Sequence, residues 1–144
     1  MDTVWIVVAE SSRAKIYVTD SSAKKLREID GFIHSDSRLH AHDITSDLPG
    51  RNVGRDGSHH ALEAETGIKE EEAALFAQQI DKYLLAGRNE KQFNKLVLIA
   101  PPACLGLLRR HMDAQVAKLV VYELHKNLVK SDIAEIRKHL PTHF

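Results

Sequence analysis

The sequence predicts a single α/β domain, a mixed sheet of about five strands with three helices. Three observations predict it. Strand-like runs separated by short turns occupy the first third of the chain. Strands alternate with helical patterns from about residue 96 onward, which is the mark of a sheet with helices packed on it. The length of 144 residues suits one core that buries roughly two-thirds of the unfolded surface.

"VWIVVA" (4–9) is apolar at every position, as a strand buried on both faces must be. "AKIYVT" (14–19) alternates Ala14, Ile16 and Val18 with Lys15, Tyr17 and Thr19, and "ESSR" between the two runs reads as a tight turn. A weaker strand over about Leu26 to Ile33 completes an antiparallel meander. From about His34 to Gly67 no periodicity is visible, and loops longer than about 12–15 residues in a compact domain are functional or disordered more often than not.

A helix is expected over about Lys69 to Ala86, where Ala73, Phe76, Ala77, Ile80, Tyr83 and Leu84 form one apolar stripe. Glu70, Glu71 and Glu72 would then lie in its first turn, favoured by the helix dipole, and Gly87 would stop it. Leu96 to Ala100 reads as a buried strand ended by Pro101 and Pro102, which can begin a helix lined by Leu105, Leu108 and Met112. "AKLVVYELH" (117–125) supplies the fifth strand. The last helix, about Asp132 to Leu140, is capped by Ser131 or Asp132, turns Ile133, Ile136 and Leu140 inward, and ends at Pro141.

Composition narrows the function classes. Lys and Arg total 20 against 20 Asp and Glu, so no overall basic field advertises a nucleic-acid partner and any such contact is local. The single cysteine, Cys104, excludes an intramolecular disulfide and reads as a small buried hydrophobe. The N-terminal stretch lacks a basic region and a secretory apolar core, and no run approaches the roughly 18 apolar residues of a membrane span. A cytoplasmic protein without membrane insertion is expected.

The long aperiodic segment carries the candidate site. In "PGRNVGRDGSHHALE" (49–63), Arg51 and Arg55 offer forked donors suited to phosphate oxygens, while Gly50 and Gly54 let the backbone approach closely. Asn52, Ser58, His59 and His60 add hydrogen-bonding capacity. The spacing matches no phosphate-loop motif, so phosphate or RNA contact competes with a solvated loop in which His60 is structural. Five of the nine histidines lie here: His34, His40, His42, His59 and His60. His40, His42, His59 and His60 are weak metal candidates, because zinc needs three or four converging ligands and nothing in the spacing requires that. No G-x-S-x-G elbow accompanies Ser11, Ser12 or Ser58, so the sequence favours a binding module over an enzyme, with no cofactor.

"LVLIAPPACLGLLRRHM", "WIVVAESSRAKIY", "LPGRNVG", "HHALE" and "ELHKNL" together resemble the bacterial host-attachment protein family, described as proteins required for attachment to host cells. The resemblance spans essentially the whole chain, and the APP–LG–LR block is its most specific part. Two positions depart from the family pattern. Asn127 stands where Asp is usual, which removes a charge and any acid–base role there, and His59 stands where a basic residue commonly precedes the His–Ala pair. The family is similar in fold to the middle domain of archaeal and eukaryotic class-1 peptide release factors and Pelota, which implies an RNase H-like architecture. In release factors the long loop carries Gly-Gly-Gln; here it reads "GRDGSHHALE", so peptidyl-tRNA hydrolysis is not implied. The resemblance implies a role in attachment, exerted indirectly by a cytoplasmic RNA- or ribosome-associated module. The alternatives are a protein-interaction or adhesion-linked factor near the cell surface, or a metal-binding hydrolase using the His-rich loop. Oligomeric state is open.

Overall fold

Alternate residues of the first strand face opposite sides of a sheet, and in β1 (Val4–Ala9) all six are buried, so both sides must be covered. The computed structural model describes residues 2–33 and 58–144, with side chains described from Glu70 onward in the second stretch. β1 pairs antiparallel with β2 (Arg13–Thr19), which pairs antiparallel with β3 (Arg27–Ile33). On its other side β1 pairs parallel with β4 (Lys95–Ile99), which pairs parallel with β5 (Val120–Leu124). The order β3-β2-β1-β4-β5 is the mixed five-stranded α/β sheet expected from the sequence. The "ESSR" turn is closed by Glu10 N–H donating to the Arg13 carbonyl at 2.8 Å.

One face of the sheet presents Trp5, Val7, Ala9, Leu96, Leu98 and Ala100 to α1 (Ser58–Asn89), α2 (Pro102–His111) and the single turn α3 (Ala114–Ala117). The other presents Val4, Ile6, Val8, Val97 and Ile99 to Leu128, Val129, Leu140 and Ile136 of α4 (Ile133–Lys138). The result is three layers, helix–sheet–helix.

Several sequence expectations are corrected. α1 begins at Ser58 and not near Lys69, so residues 58–67 are helical and not part of the loop. Glu70, Glu71 and Glu72 therefore sit well inside the helix, and its first turn has no acidic residue. Gly87 does not end the helix. A Cβ there would lie 2.6 Å from the Trp5 indole, so glycine is required by close packing. Trp5 in turn stacks between Tyr83 and Phe93 at 5.4 and 4.6 Å. The actual stop is a paired set of hydrogen bonds, Gln92 N–H to Gly87 O and Lys91 N–H to Arg88 O, with Lys91 in the left-handed conformation at φ 58°.

Among the described residues α3 is a fourth helix where three were expected; it ends on Ala117 with Lys118 as its cap, and β5 starts only at Val120, so it is shorter than 117–125. In α4 the Asp132 carboxylate accepts from Glu135 N–H at 2.8 Å, as a cap should. Ile136 and Leu140 are buried as expected, but Ile133 is 37% exposed. It occupies the first helical position, where the axis has not yet turned that side chain onto the sheet.

Candidate functional site at the carboxyl edge of the sheet

β1, β4 and β5 run parallel, so their carboxyl ends share one edge. Connections leave β1 and β4 in opposite directions there, the place where open α/β sheets form a crevice. Glu10 follows β1, Pro101 and Pro102 follow β4, and His125 to Asn127 follow β5. These are parts of the "AESSR", "APP" and "ELHKNL" stretches, separated in sequence and brought together by strand pairing. A hydrogen bond spans the edge: the Asn127 amide donates to the Glu10 carboxylate at 3.0 Å, while its carbonyl oxygen accepts from Val129 N–H at 3.2 Å. Asn127 thus fixes the turn after β5 and supplies Glu10 with a donor. An aspartate there could accept from Val129 but would set a second carboxylate against Glu10. A little farther in, Arg109 of α2 pairs with Glu123 of β5 at 3.2 Å.

Beneath this edge lies a group that sequence reasoning missed. Asp81, on α1, is only 6% exposed, and neither carboxylate oxygen has a hydrogen-bond partner among the described residues. Burial without compensation disfavours the charged form and pushes its pKa up to about 7. Cys104, in the first turn of α2, is buried nearby. Burial and the Glu10 and Asp81 carboxylates raise its thiol to about 11. A thiol so disfavoured from ionising is a poor nucleophile, which agrees with its reading as a small hydrophobe. The signal for Asp81 was in the sequence: it sits four residues after Ala77 and three before Leu84, an acid on the core-facing stripe.

α2 begins with Pro101 as its cap residue and no side-chain cap, which leaves Pro102, without an N–H, at its start. His125 and Lys126 are exposed beside it. The arrangement offers cations, a buried carboxyl and an amide–carboxylate pair. These are groups that bind and position.

Of the residues singled out from the sequence, Gly50, Arg51, Asn52, Gly54, Arg55, His40 and His42 lie outside the described residues. Ser58, His59 and His60 form the first turn of α1, and their side chains also lie outside the description. Among the described residues no group of three or more His, Cys, Asp or Glu is placed to hold a metal ion. No helix among them is long and apolar enough to cross a membrane.

Comparison with known proteins gives relatives of limited coverage. An uncharacterized protein of Rickettsia prowazekii (strain Madrid E) is 27% identical over 79 residues, which are 54% of this chain and 53% of that protein. Among solved structures, the crystal structure of an archaeal translation termination factor superposes with a TM-score of 0.49 at 9% identity, over 97% of this chain and 35% of that one. A family model described as "Protein required for attachment to host cells" matches residues 5–140, a span that takes in all the strands and helices described above except Val4 at the start of β1. The chain belongs to that host-attachment family.

Proposed function

We propose that this chain is a cytoplasmic RNA- or ribosome-contacting module without hydrolytic activity, and that its part in host attachment is indirect. The observation that carries the reading is where the arginine- and glycine-bearing segment joins the fold. Ile33 pairs with Arg13, so the chain leaves β3 at the same edge as Glu10, Pro101, His125 and Lys126. It returns at Ser58, the end of α1 remote from the edge where β4 begins. At about 1.5 Å per residue the 32-residue α1 is about 48 Å long, far more than strands of five to seven residues can cover. Both attachment points of residues 34–57 thus serve the end of the molecule where the exposed His125 and Lys126 follow β5. Arg51 and Arg55 would grip phosphate oxygens, with Gly50 and Gly54 permitting close approach and Asn52, Ser58, His59 and His60 adding hydrogen bonds.

The test is a pull-down from lysate with and without ribonuclease, followed by salt titration on single-stranded RNA. Two arginines neutralising two phosphates give a slope of log affinity against log salt of roughly −1.4. Replacing both by alanine is expected to weaken binding and flatten that slope while leaving the thermal midpoint in place. A double variant that co-sediments with ribosomes as the parent does would overturn the reading.

A protein partner is the second reading. Ile33 and Leu75 favour it, because they are 59% and 51% exposed and apolar. Retention of a partner after ribonuclease, together with recovery in the envelope fraction on cell fractionation, would put it first.

A further inference from the structure

At the opposite edge of the sheet, where β4 begins, lies a groove of about 450 Å³. Its polar lining comes from Thr3, Arg88, Asn89, Lys91 and Asn94, and Phe93 contributes apolar surface. Among the described residues no carboxylate lines it. Two acids stand close by: Glu90, between Asn89 and Lys91 in the chain, lines the neighbouring groove with Trp5, Tyr83 and Gly87, and Asp2 is engaged by Lys95 at 2.8 Å, by Ser21 at 2.9 Å and by the Asn94 amide at 3.2 Å. Arg88 and Lys91 have no carboxylate partner among the described residues. The Arg88 guanidinium donates to the Asn89 side-chain oxygen at 3.1 Å, which restrains it beside the groove and leaves its other N–H groups to spare.

Lys91 is the informative residue. It occupies the left-handed position that closes α1, φ 58°, where glycine is the residue of choice because any Cβ is strained. Charge complementarity with the helix end accounts for a cation in the last turn, and Arg88 already provides one. It does not account for lysine at the one position where glycine would cap without strain. Unfavourable backbone geometry retained beside a cavity points to use of the side chain.

We propose that this groove binds a phosphate group, with Lys91 and Arg88 as its cationic contacts and the Asn89 amide as a further donor. Its volume lies within the range of small-molecule sites, so the phosphate would be carried on a body the size of a mononucleotide, whether free or as the 5′ end of an RNA. The site lies at the edge opposite the proposed RNA-contacting end, so it stands or falls separately from that reading.

The experiment is a backbone-amide NMR titration of the full chain at constant ionic strength. The probes are inorganic phosphate, adenosine 5′-monophosphate, adenosine and a short RNA with or without a 5′-phosphate. Both phosphate-bearing small molecules are expected to shift the amides of residues 88–94, and adenosine is expected to leave them unmoved. Tighter binding of the monophosphate than of the 5′-phosphorylated RNA identifies a free nucleotide as the source, and the reverse order identifies an RNA end. Lys91→Gly and Arg88→Gln should each weaken monophosphate binding about tenfold, the loss of one charge-assisted contact. Lys91→Gly should at the same time raise the thermal midpoint, because glycine relieves the left-handed strain. A Lys91→Gly protein that is more stable and binds as the parent does would show the lysine to be only a strained cap. Adenosine shifting the same amides as the monophosphate, or no shift with either phosphate probe at millimolar concentration, would equally overturn the proposal.

Discussion

The two faces of the sheet are made from alternate residues of the same strands, yet they bury different chemistry. The face under α4 is closed by aliphatic side chains and Tyr17, and the buried polar group on it is a hydroxyl, that of Thr19 opposite Val4. The face under α1 and α2 contains an aromatic stack, a glycine pressed on an indole, Cys104 and, beside them, an unpaired carboxyl at Asp81. The first face is a device for stability. The second gives up stability to an ionisable group buried without a hydrogen-bond partner among the described residues.

The largest expected effect is on the aliphatic face. Ile99 is fully buried there, in the strand flanked by β1 and β5. Ile99→Asp places a carboxylate in a fully buried hydrophobic cluster, at a cost of more than about 4 kcal/mol, enough to unfold a marginally stable domain. Circular dichroism melting should show no cooperative transition at neutral pH. A parent-like melt would mean that this face tolerates charge as the other does.

Asp81→Asn is expected to act in the opposite direction. The folded protein holds the Asp81 carboxyl near 7, against 3.8 for an unperturbed aspartate, so between those values the native state binds a proton that the unfolded chain has lost. Stability therefore falls as pH rises from about 4 to about 7 and levels off above, once the buried group is ionised in both states. Asparagine removes the ionisation but still buries an amide, so the gain at pH 8 should be about 2–4 kcal/mol before the amide's own cost. The gain should vanish near pH 4. Thermal melts of both proteins at pH 5 and pH 8 measure it. An Asp81→Asn protein with the same pH dependence as the parent would show that Asp81 is ionised and paired in solution, and the contrast between the faces would disappear.

The difference between the faces also explains what could be read from the sequence. β1 and β4 were legible because both faces demand apolar residues, so "VWIVVA" and "LVLIA" have no other reading. The Phe76–Leu84 stripe was legible because helical spacing repeats over two turns. The first half of α1 was not, since residues 58–72 show no apolar stripe for a sequence pattern to detect. Gly87 misled because a helix-interior glycine and a helix-stop glycine look alike in sequence, and only the Trp5 ring distinguishes them. Lys91 could not be recognised as the stop because its left-handed backbone runs against its residue type. At the carboxyl edge, Glu10 and Asn127 meet across 117 positions of sequence, a pairing set by parallel strand register and invisible locally. The arginines of the long segment were legible as chemistry, and their placement belongs to residues outside those described.

The smallest effect sharpens the contrast by moving an aspartate out of the core. Asp2 is solvent-accessible, and its carboxylate accepts hydrogen bonds from Lys95, Ser21 and Asn94, with the Lys95 ammonium the strongest influence, so its pKa falls to about 2. One residue type is thus shifted in opposite directions within a single small domain, downward by partners in water and upward by burial without them. A depressed folded-state value contributes stability that is present above about 4 and lost as pH falls toward 2, the mirror image of Asp81. Solvent screening keeps the contribution of such an exposed pair slight. Asp2→Asn should therefore lower the thermal midpoint slightly at pH 6 and leave it unchanged near pH 2, with the difference shrinking as salt is added. Lys95 also donates to the Phe144 carbonyl at 2.7 Å, so the ammonium retains a partner and the fold should stay intact. A loss at pH 6 as large as that of Ile99→Asp, or one that does not respond to salt, would mean that this pair is shielded from water and behaves like a buried one.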